Sequence, residues 1–368
     1  MVATASRIDP RTAEHVAVRV VDCDVHLVAQ SKAEILERMP EPWRSRIGKR
    51  RANANGKATY SSYEADGRMD SKGPSGLPGG SEPELVYKQL FEEAGVDLAM
   101  LVPAGRYTVD PEINAAWCRA NNQWVADTWL DKWNLGGRFF GAINVTVDDP
   151  LRAAREIDYW ADHPGFKQII LGDISERPLG FPMYDPVWEA ASRHRLPVAM
   201  HFAGNGINAL GSTAVGTFPR HVEYHSVAYP LVYVGHLLSW ITGGVFDRFP
   251  ELRFAFLEGG FLWHRPVVAR LALHWEAFRA ENDASKRDPF DYVREHVRFA
   301  TQPIEEYDDA PEDVARLMEL AEASRTLMFS SDYPHWDFDS PERAFPKLAD
   351  DVREAIFSGN ARALYRLA

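Results

Sequence analysis

Short apolar runs alternate with longer segments of helical periodicity along most of this chain. The runs have the length and composition of buried strands, and in the segments between them apolar residues recur three or four positions apart, as on one face of a helix. Strands are predicted to begin near residues 16, 96, 139, 166, 197, 252, 297 and 327. Strands that alternate with helices pair in parallel, and eight such units close into a (β/α)₈ TIM barrel. The pattern favours this barrel over an open doubly wound sheet, because no GxGxxG motif follows the first strand.

One stretch departs from the alternation. Residues 51–83 are rich in Gly, Ser, Asn and Pro and follow neither period, which predicts a long loop inserted after the first strand. Such a loop is either a flexible insertion or, as we interpret it, a lid over the mouth of the barrel, because long ordered loops often carry function. Residues 1–15 are polar and are predicted to form a loose N-terminus. The chain, 1–368, is therefore expected to form a single barrel domain.

Composition and charge exclude several classes of protein. The formal net charge of the 368 residues is −12, which argues against nucleic acid as a partner, because phosphate binding requires clustered Lys and Arg. The chain has two cysteines, so no disulfide framework is expected. The charged N-terminus does not resemble a signal peptide, and no apolar run approaches the ~20 residues of a membrane span. We therefore expect a cytoplasmic protein that acts on a small molecule and contacts no membrane.

Potential metal ligands follow three of the predicted strands. Asp24 and His26 come after the first strand and lie two residues apart, so on an extended chain their side chains face the same way. His201 ends the fifth strand, and Asp332 follows the eighth. Because the carboxyl ends of barrel strands meet at one mouth, these residues are expected to share one divalent ion. Imidazole with carboxylate suits Zn²⁺, which we expect here, and Mn²⁺ is the alternative.

Two further residues are candidates for catalysis together with Asp332, which could accept a proton from a metal-activated water as well as bind the ion. Glu258 follows the sixth strand and would be a separate acid/base group, unless it has a structural role such as an ion pair with Arg265. His335 lies just beyond Asp332 and is a candidate for substrate contact. His236 lies on a predicted helix and is expected to be packed inside the fold. Weaker candidates for the rim of the site are His221, His225 and Trp336.

Several motifs together resemble the amidohydrolase-related family, in particular the branch of aminocarboxymuconate-semialdehyde decarboxylase and the resorcylate-type decarboxylases. The matching pieces are Asp24-Val25-His26, Met200-His201, the run from Gly244 to Leu252, Ser331-Asp332-Tyr333-Pro334-His335 and Gly359-Asn360-Ala361. The resemblance extends from about residue 19 over nearly the whole chain. It implies a distorted barrel with one divalent metal, with Asp24, His26, His201 and Asp332 as ligands. It also implies a homodimer or a larger homo-oligomer, since such assemblies are common in the family.

The sequence departs from the decarboxylase pattern at two positions. Asp24 stands where relatives have His or Glu, and Glu258 stands where the decarboxylases carry a catalytic His. A carboxyl group can protonate a ring carbon only if burial raises its pKa, whereas it readily orients or deprotonates a water. We therefore expect a metal-dependent hydrolase that cleaves a C–N or C–O bond of a small organic substrate, aromatic or not. The alternatives are non-oxidative decarboxylation of an aromatic or enoic acid, and a non-catalytic binding barrel.

Overall fold

The computed structural model describes most of the chain. The described residues are 19–49, 67, 68, 70–103, 105, 110–134, 136–172, 175–201, 229–304, 311–345 and 348–367. The predicted loose N-terminus, most of the 51–83 insertion, His221 and His225 lie outside them.

Eight strands among the described residues form one parallel sheet in sequential order, which confirms the predicted (β/α)₈ barrel. The strands are β1 (Val20–Leu27), β2 (Val96–Pro103), β3 (Phe139–Val145), β4 (Phe166–Gly172), β5 (Val198–His201), β6 (Phe254–Leu257), β7 (Val297–Ala300) and β8 (Leu327–Met328).

Helices connect the strands and surround the sheet. They are α1 (Lys32–Leu36), α2 (Trp43–Lys49), α3 (Pro83–Tyr87), α4 (Pro111–Trp124), α5 (Pro150–Trp160), α6 (Asp185–His194), α7 (Tyr229–Thr242), α8 (Val245–Arg248), α9 (His264–Ala277), α10 (Pro289–His296), α11 (Pro311–Leu320), α12 (Ala323–Thr326), α13 (Asp350–Glu354) and α14 (Asn360–Tyr365). Wider turns of π-helix continue α3, α4 and α13 at Lys88–Glu93, Val125–Lys132 and Ala355–Gly359, and short 3₁₀ turns lie at Pro182–Tyr184 and Arg279–Glu281.

The sheet is distorted where its first and last strands meet. β8 is short, and β1 and β8 are joined by single backbone contacts rather than by a regular ladder. The Cys23 N–H donates to the Phe329 carbonyl at 3.0 Å, and the His26 N–H donates to the Tyr333 carbonyl at 2.7 Å. The distortion expected from the family resemblance is therefore at this seam, next to Asp24 and Asp332.

Successive side chains of each strand point alternately into the barrel and into the layer between the sheet and the helices. On β5, Val198 and Met200 pack against the helices, while Ala199 belongs to the smaller interior cluster. The outer layer is rich in aromatic side chains, for example the fully buried Trp240 stacked on Phe254 with ring centroids 3.7 Å apart. Removing a buried aromatic side chain of this size typically costs about 3–5 kcal/mol, so this layer holds the barrel together.

The predicted end of the first strand is wrong. β1 was expected to end at Cys23 but continues to Leu27, so Asp24 and His26 lie within the strand.

The described end of the insertion lies against the strands that carry the candidate ligands. The Val28 N–H donates to the Gly80 carbonyl at 3.2 Å, and the Arg68 N–H donates to the Pro334 carbonyl at 2.8 Å. Gly80 has a φ of +74°, and a Cβ atom there would lie 2.6 Å from the His26 carbonyl oxygen. Only glycine allows this close approach without displacing β1. The role of the insertion as a lid stays a prediction.

Candidate metal centre

Asp24 and His26 are neighbours on the inner face of β1. Val25 and Leu27 pack into the outer core, so the alternating side chains of Asp24 and His26 point into the barrel. Both are buried, and His26 Nε2 lies 3.3 Å from Asp24 Oδ1. Burial lowers the pKa of His26 to about 4, which keeps its imidazole in the neutral form that binds metals.

His201, the last residue of β5, completes a group of three potential ligands. Its Nε2 lies 3.2 Å from His26 Nε2 and 3.7 Å from Asp24 Oδ2. The ligand atoms of these three residues all lie within 4.8 Å of one another. β1 and β5 lie opposite each other in the barrel, and their side chains meet at one point, as predicted from the positions of the strand ends.

Asp332 joins this group from the segment after β8. Its Oδ1 lies 2.9 Å from His26 Nε2. Asp332 has a φ of +59° and Glu258 a φ of +50°, in the left-handed region that costs a non-glycine residue about 1–2 kcal/mol. Backbone strain of this kind is concentrated at functional sites, because the surrounding structure must hold it in place.

The donor set fits a divalent ion. Ligand atoms bound to one ion at 2.0–2.2 Å lie roughly 3.0–3.6 Å apart, close to the separations of 2.9–3.7 Å found here. Both carboxylate oxygens of Asp24 and Oδ2 of Asp332 are buried without a hydrogen-bond partner among the described residues. Buried carboxylate oxygens are costly unless a cation or a donor compensates them. Asp24, His26 and His201 can therefore hold an ion, and Asp332, which forms an overlapping group with His26 and His335, lies directly beside them.

His335 is hydrogen-bonded to this group. Its Nδ1 lies 2.7 Å from Asp332 Oδ1, and its side chain is 17% exposed. Burial lowers the pKa of His335, but the Asp332 carboxylate outweighs this and raises it to about 10. Burial also raises the pKa of Asp332, whereas the charges and hydrogen bonds of His335 and His26 hold it well below its usual range. The pair is a positively charged imidazolium on an ionised carboxylate.

Glu258, just after β6, lies on the other side of His201. Its Oε2 is 2.9 Å from His201 Nε2. Burial and the Asp332 carboxylate raise the pKa of Glu258, but the hydrogen bond and charge of His201 bring it below the usual value. Burial lowers the pKa of His201, and the carboxylates of Asp24 and Glu258 raise it to about 9. The suggested pairing of Glu258 with Arg265 is wrong, because Arg265 binds Glu322 at 3.0 Å.

Asp22 and Ser331 hold the two ligand segments together and were missed in the sequence. The Ser331 hydroxyl donates to Asp22 Oδ2 at 2.5 Å, and the Ser331 N–H donates to Asp22 Oδ1 at 2.9 Å. Asp22 Oδ1 also accepts the Asp24 N–H at 3.2 Å. The only sequence signal was their position directly beside predicted ligands.

The remaining candidates lie around the site or within the fold. His236 is 7% exposed on α7 and accepts the Leu179 N–H at 3.3 Å, as expected for a packed histidine. Trp336 is 57% exposed, immediately after His335. None of the described helices is long and apolar enough to cross a bilayer.

The comparison with protein families gives a match over almost the whole chain. The amidohydrolase family model matches residues 21–367. The chain therefore belongs to the amidohydrolase family and is an enzyme of that superfamily, as the motifs predicted.

Solved structures share the fold at low sequence identity. An amidohydrolase from Mycobacterium avium subsp. paratuberculosis K-10 has a TM-score of 0.71 and 20% identity, covering 95% of this chain and 100% of its own. A 5-carboxyvanillate decarboxylase from Sphingomonas paucimobilis has a TM-score of 0.67 and 18% identity, covering 96% and 100%. A 5-carboxyvanillate decarboxylase from Novosphingobium aromaticivorans DSM 12444, in complex with manganese and 4-hydroxy-3-methoxy-5-nitrobenzoic acid, has a TM-score of 0.67 and 17% identity, covering 95% and 97%. At these identities the likeness concerns the fold.

Proposed function

We propose that this protein is a metal-dependent carboxy-lyase that removes the carboxyl group of a small aromatic acid without an oxidant. In that reaction the bond between the ring carbon and the carboxyl carbon breaks, carbon dioxide leaves, and a proton replaces the carboxyl group on the ring. The enzyme must therefore supply a proton donor beside the ion-binding groups. The observation that carries the proposal is His335, held by Asp332 at 2.7 Å next to the candidate ligands. The shared fold of two aromatic-acid decarboxylases supports it.

Each residue has a role in this scheme. An ion held by Asp24, His26, His201 and Asp332 would supply a Lewis acid for the carboxylate and an adjacent oxygen of the substrate. His335 donates the proton to the ring carbon, and Asp332 orients the imidazole and stabilises its charged form. The partial exposure of His335 lets a substrate reach it from the mouth of the barrel. The role predicted for Asp332 as a proton acceptor is weakened, because its low pKa makes it a poor base.

The ion is proposed to be Zn²⁺ or Mn²⁺. The sequence predicts Zn²⁺ because imidazole ligands suit this ion, whereas carboxylate ligands also suit Mn²⁺. Manganese in the decarboxylase from N. aromaticivorans supports the second choice. Reconstituting the metal-free protein with each ion and measuring turnover separates them.

The test of the function is a panel of hydroxybenzoates incubated with the metal-loaded protein in D₂O. Carbon dioxide release together with one deuterium at the carbon that carried the carboxyl group, detected by NMR, is the expected result. The His335→Gln variant keeps a polar side chain but cannot carry the proton, so kcat is expected to fall by about 10²–10⁴-fold. Metal-loaded protein that neither releases carbon dioxide nor exchanges deuterium with any aromatic acid would refute the proposal.

A matched control is available at the opposite end of the barrel. His296 is 1% exposed, immediately precedes β7, and its Nδ1 is 2.9 Å from the Leu252 carbonyl. His296→Gln changes a buried histidine far from the strand ends that carry the ligands. Its kcat is expected to match the wild type, whereas an equal loss in both variants would mean that His335 acts only through folding.

Hydrolysis of a C–N or C–O bond is the second candidate, and Glu258 favours it. Its carboxylate is kept ionised beside the ligands by His201, 2.9 Å away, and can accept a proton from water. A panel of amides, esters and lactones tests this activity. Turnover that disappears in Glu258→Gln but survives in His335→Gln would favour hydrolysis over decarboxylation.

A homodimer or larger homo-oligomer is also proposed, on the family resemblance. Size-exclusion chromatography with light scattering tests it. A mass equal to one chain would overturn it.

A further inference from the structure

Two buried acceptor atoms beside the candidate metal centre have no hydrogen-bond partner among the described residues. They are Gln302 Oε1 and Asp337 Oδ1. The two side chains are bonded to each other, since Gln302 Nε2 donates to Asp337 Oδ2 at 2.8 Å. Gln302 is fully buried. Folded proteins rarely leave buried acceptors without a donor, so this pair requires an explanation.

The pair lies on the rim that carries the metal centre. Gln302 comes two residues after the end of β7, between the strand that precedes Glu258 and the strand that precedes Asp332. Its backbone N–H donates to Ser330 Oγ at 3.1 Å, which ties it to the end of β8. The charges of Asp332, Glu258 and His335 all act on the Asp337 carboxyl. The unpartnered acceptors are therefore neighbours of the groups proposed to hold the ion and deliver the proton.

The hydrogen bond between the two side chains fixes what they can recognise. Asp337 Oδ2 accepts from the amide nitrogen of Gln302, so the amide is oriented with its oxygen away from that bond. Gln302 Oε1 is an acceptor, and so is Asp337 Oδ1 when its carboxyl is ionised; burial raises the pKa of that carboxyl to about 7. With Asp337 ionised, a methoxy or carboxylate group cannot satisfy either atom, whereas a hydroxyl group can.

We propose that Gln302 and Asp337 form a subsite that binds a hydroxyl group on the ring of the substrate. The proposal rests on the proposed function for the identity of that substrate as a carboxylated aromatic ring. A bound ion and His335 would act on the carboxyl side of the ring, while the subsite selects rings that carry a hydrogen-bond donor. A site with buried acceptors rejects an analogue that lacks the donor far more strongly than an apolar pocket rejects a misfit.

Equilibrium binding tests the subsite separately from turnover. The probes are benzoate, the three monohydroxybenzoates and the three monomethoxybenzoates, titrated into metal-loaded protein by calorimetry. One hydroxyl isomer is expected to bind roughly 10–100-fold more tightly than benzoate and than its methoxy analogue. Such a preference, together with no carbon dioxide release and no deuterium exchange across the whole panel of aromatic acids, would refute the decarboxylase and still support the subsite.

Two variants assign the preference to these residues. Gln302→Met removes one acceptor at nearly constant size, and Asp337→Asn keeps the bond to Gln302 but presents a donor in place of the second acceptor. Each is expected to reduce the preference for the hydroxyl isomer to less than about 3-fold while benzoate binds as in the wild type. If Gln302→Met does not fold, the binding preference of Asp337→Asn alone tests the proposal.

Gln168 provides the matched control. It is also fully buried, and both of its amide atoms lack partners among the described residues, but it lies on β4 inside the barrel, four residues before the strand ends. Gln168→Met is expected to keep the hydroxyl preference. The proposal is overturned if wild type binds benzoate and all hydroxybenzoates equally, which would mean that the two acceptors bind only water. It is also overturned if the preference survives in Gln302→Met and Asp337→Asn.

Discussion

Ser331 offers a sharp test of how the ligand segments are held together. Its hydroxyl donates to Asp22 Oδ2 at 2.5 Å and accepts the Tyr333 N–H at 3.1 Å, and all three groups are buried. Ser331→Ala removes a hydrogen bond to a carboxylate and leaves a buried N–H unsatisfied. Burial raises the pKa of Asp22 to about 7, so the bond is fully charge-assisted only above that pH, where stability is measured. A charge-assisted bond contributes about 1.5–3 kcal/mol and an unsatisfied buried group costs about 1–3 kcal/mol, so the free energy of unfolding should fall by about 2.5–6 kcal/mol. Because Asp332 is the next residue, metal affinity should fall by about 10–100-fold, as for other residues that position a ligand.

The neighbouring Ser330 is the control for this experiment. It is equally buried at 0% exposure, but its hydroxyl accepts the Gln302 N–H and, among the residues that the structure describes, makes no hydrogen bond to Asp22. Ser330→Ala should lose about 1–3 kcal/mol and keep the metal affinity of the wild type. Denaturant unfolding of the metal-free proteins and competition with a chromophoric chelator measure the two quantities. Equal losses of stability and of affinity in both variants would refute the reasoning, because the bond to Asp22 would then have no special role.

Three further predictions concern the ion and the insertion. Elemental analysis should find about one equivalent of a transition metal in the wild type and clearly less in Asp332→Ala; no metal in either, after incubation with Zn²⁺ or Mn²⁺, would contradict the shared site. The pKa of His201 is raised to about 9, and burial raises the pKa of Asp24, so at low pH protons must leave before these residues can bind an ion. Apparent affinity should therefore rise by at least about tenfold per pH unit up to pH 9, and a flat profile would argue against both residues as ligands. The Cβ atom added in Gly76→Ala meets no atom within 4 Å, so this variant should lose only the left-handed backbone strain of about 1–2 kcal/mol in stability. The Cβ atom added in Gly80→Ala also meets the His26 carbonyl, so this variant should lose more stability and bind metal more weakly. Equal losses in thermal unfolding would show that β1 shifts at little cost to relieve this contact.

Much of the fold could be predicted because the strands are buried on both faces. The apolar runs at Phe139–Val145 and Phe166–Gly172 were recognised almost to the residue, since parallel strands between helices and an interior leave few polar positions. The pattern ends β1 too early because the last part of this strand carries polar residues. Asp24 and His26 are polar residues on a buried strand, and a local pattern cannot distinguish a polar residue inside a barrel from one in a loop.

The types and positions of the candidate ligands were visible in the chain, because strand ends of a barrel converge whatever the details of packing. Their mutual contacts were not. Asp22 and Ser331 are 309 residues apart in sequence, and Gln302 and Asp337 are 35 residues apart. Whether such side chains meet depends on the register of neighbouring strands and on the path of the connecting loops. The barrel and its ligand-bearing edge thus follow from local patterns, whereas the pairing of acids with bases at that edge arises only when the eight strands close around a common axis.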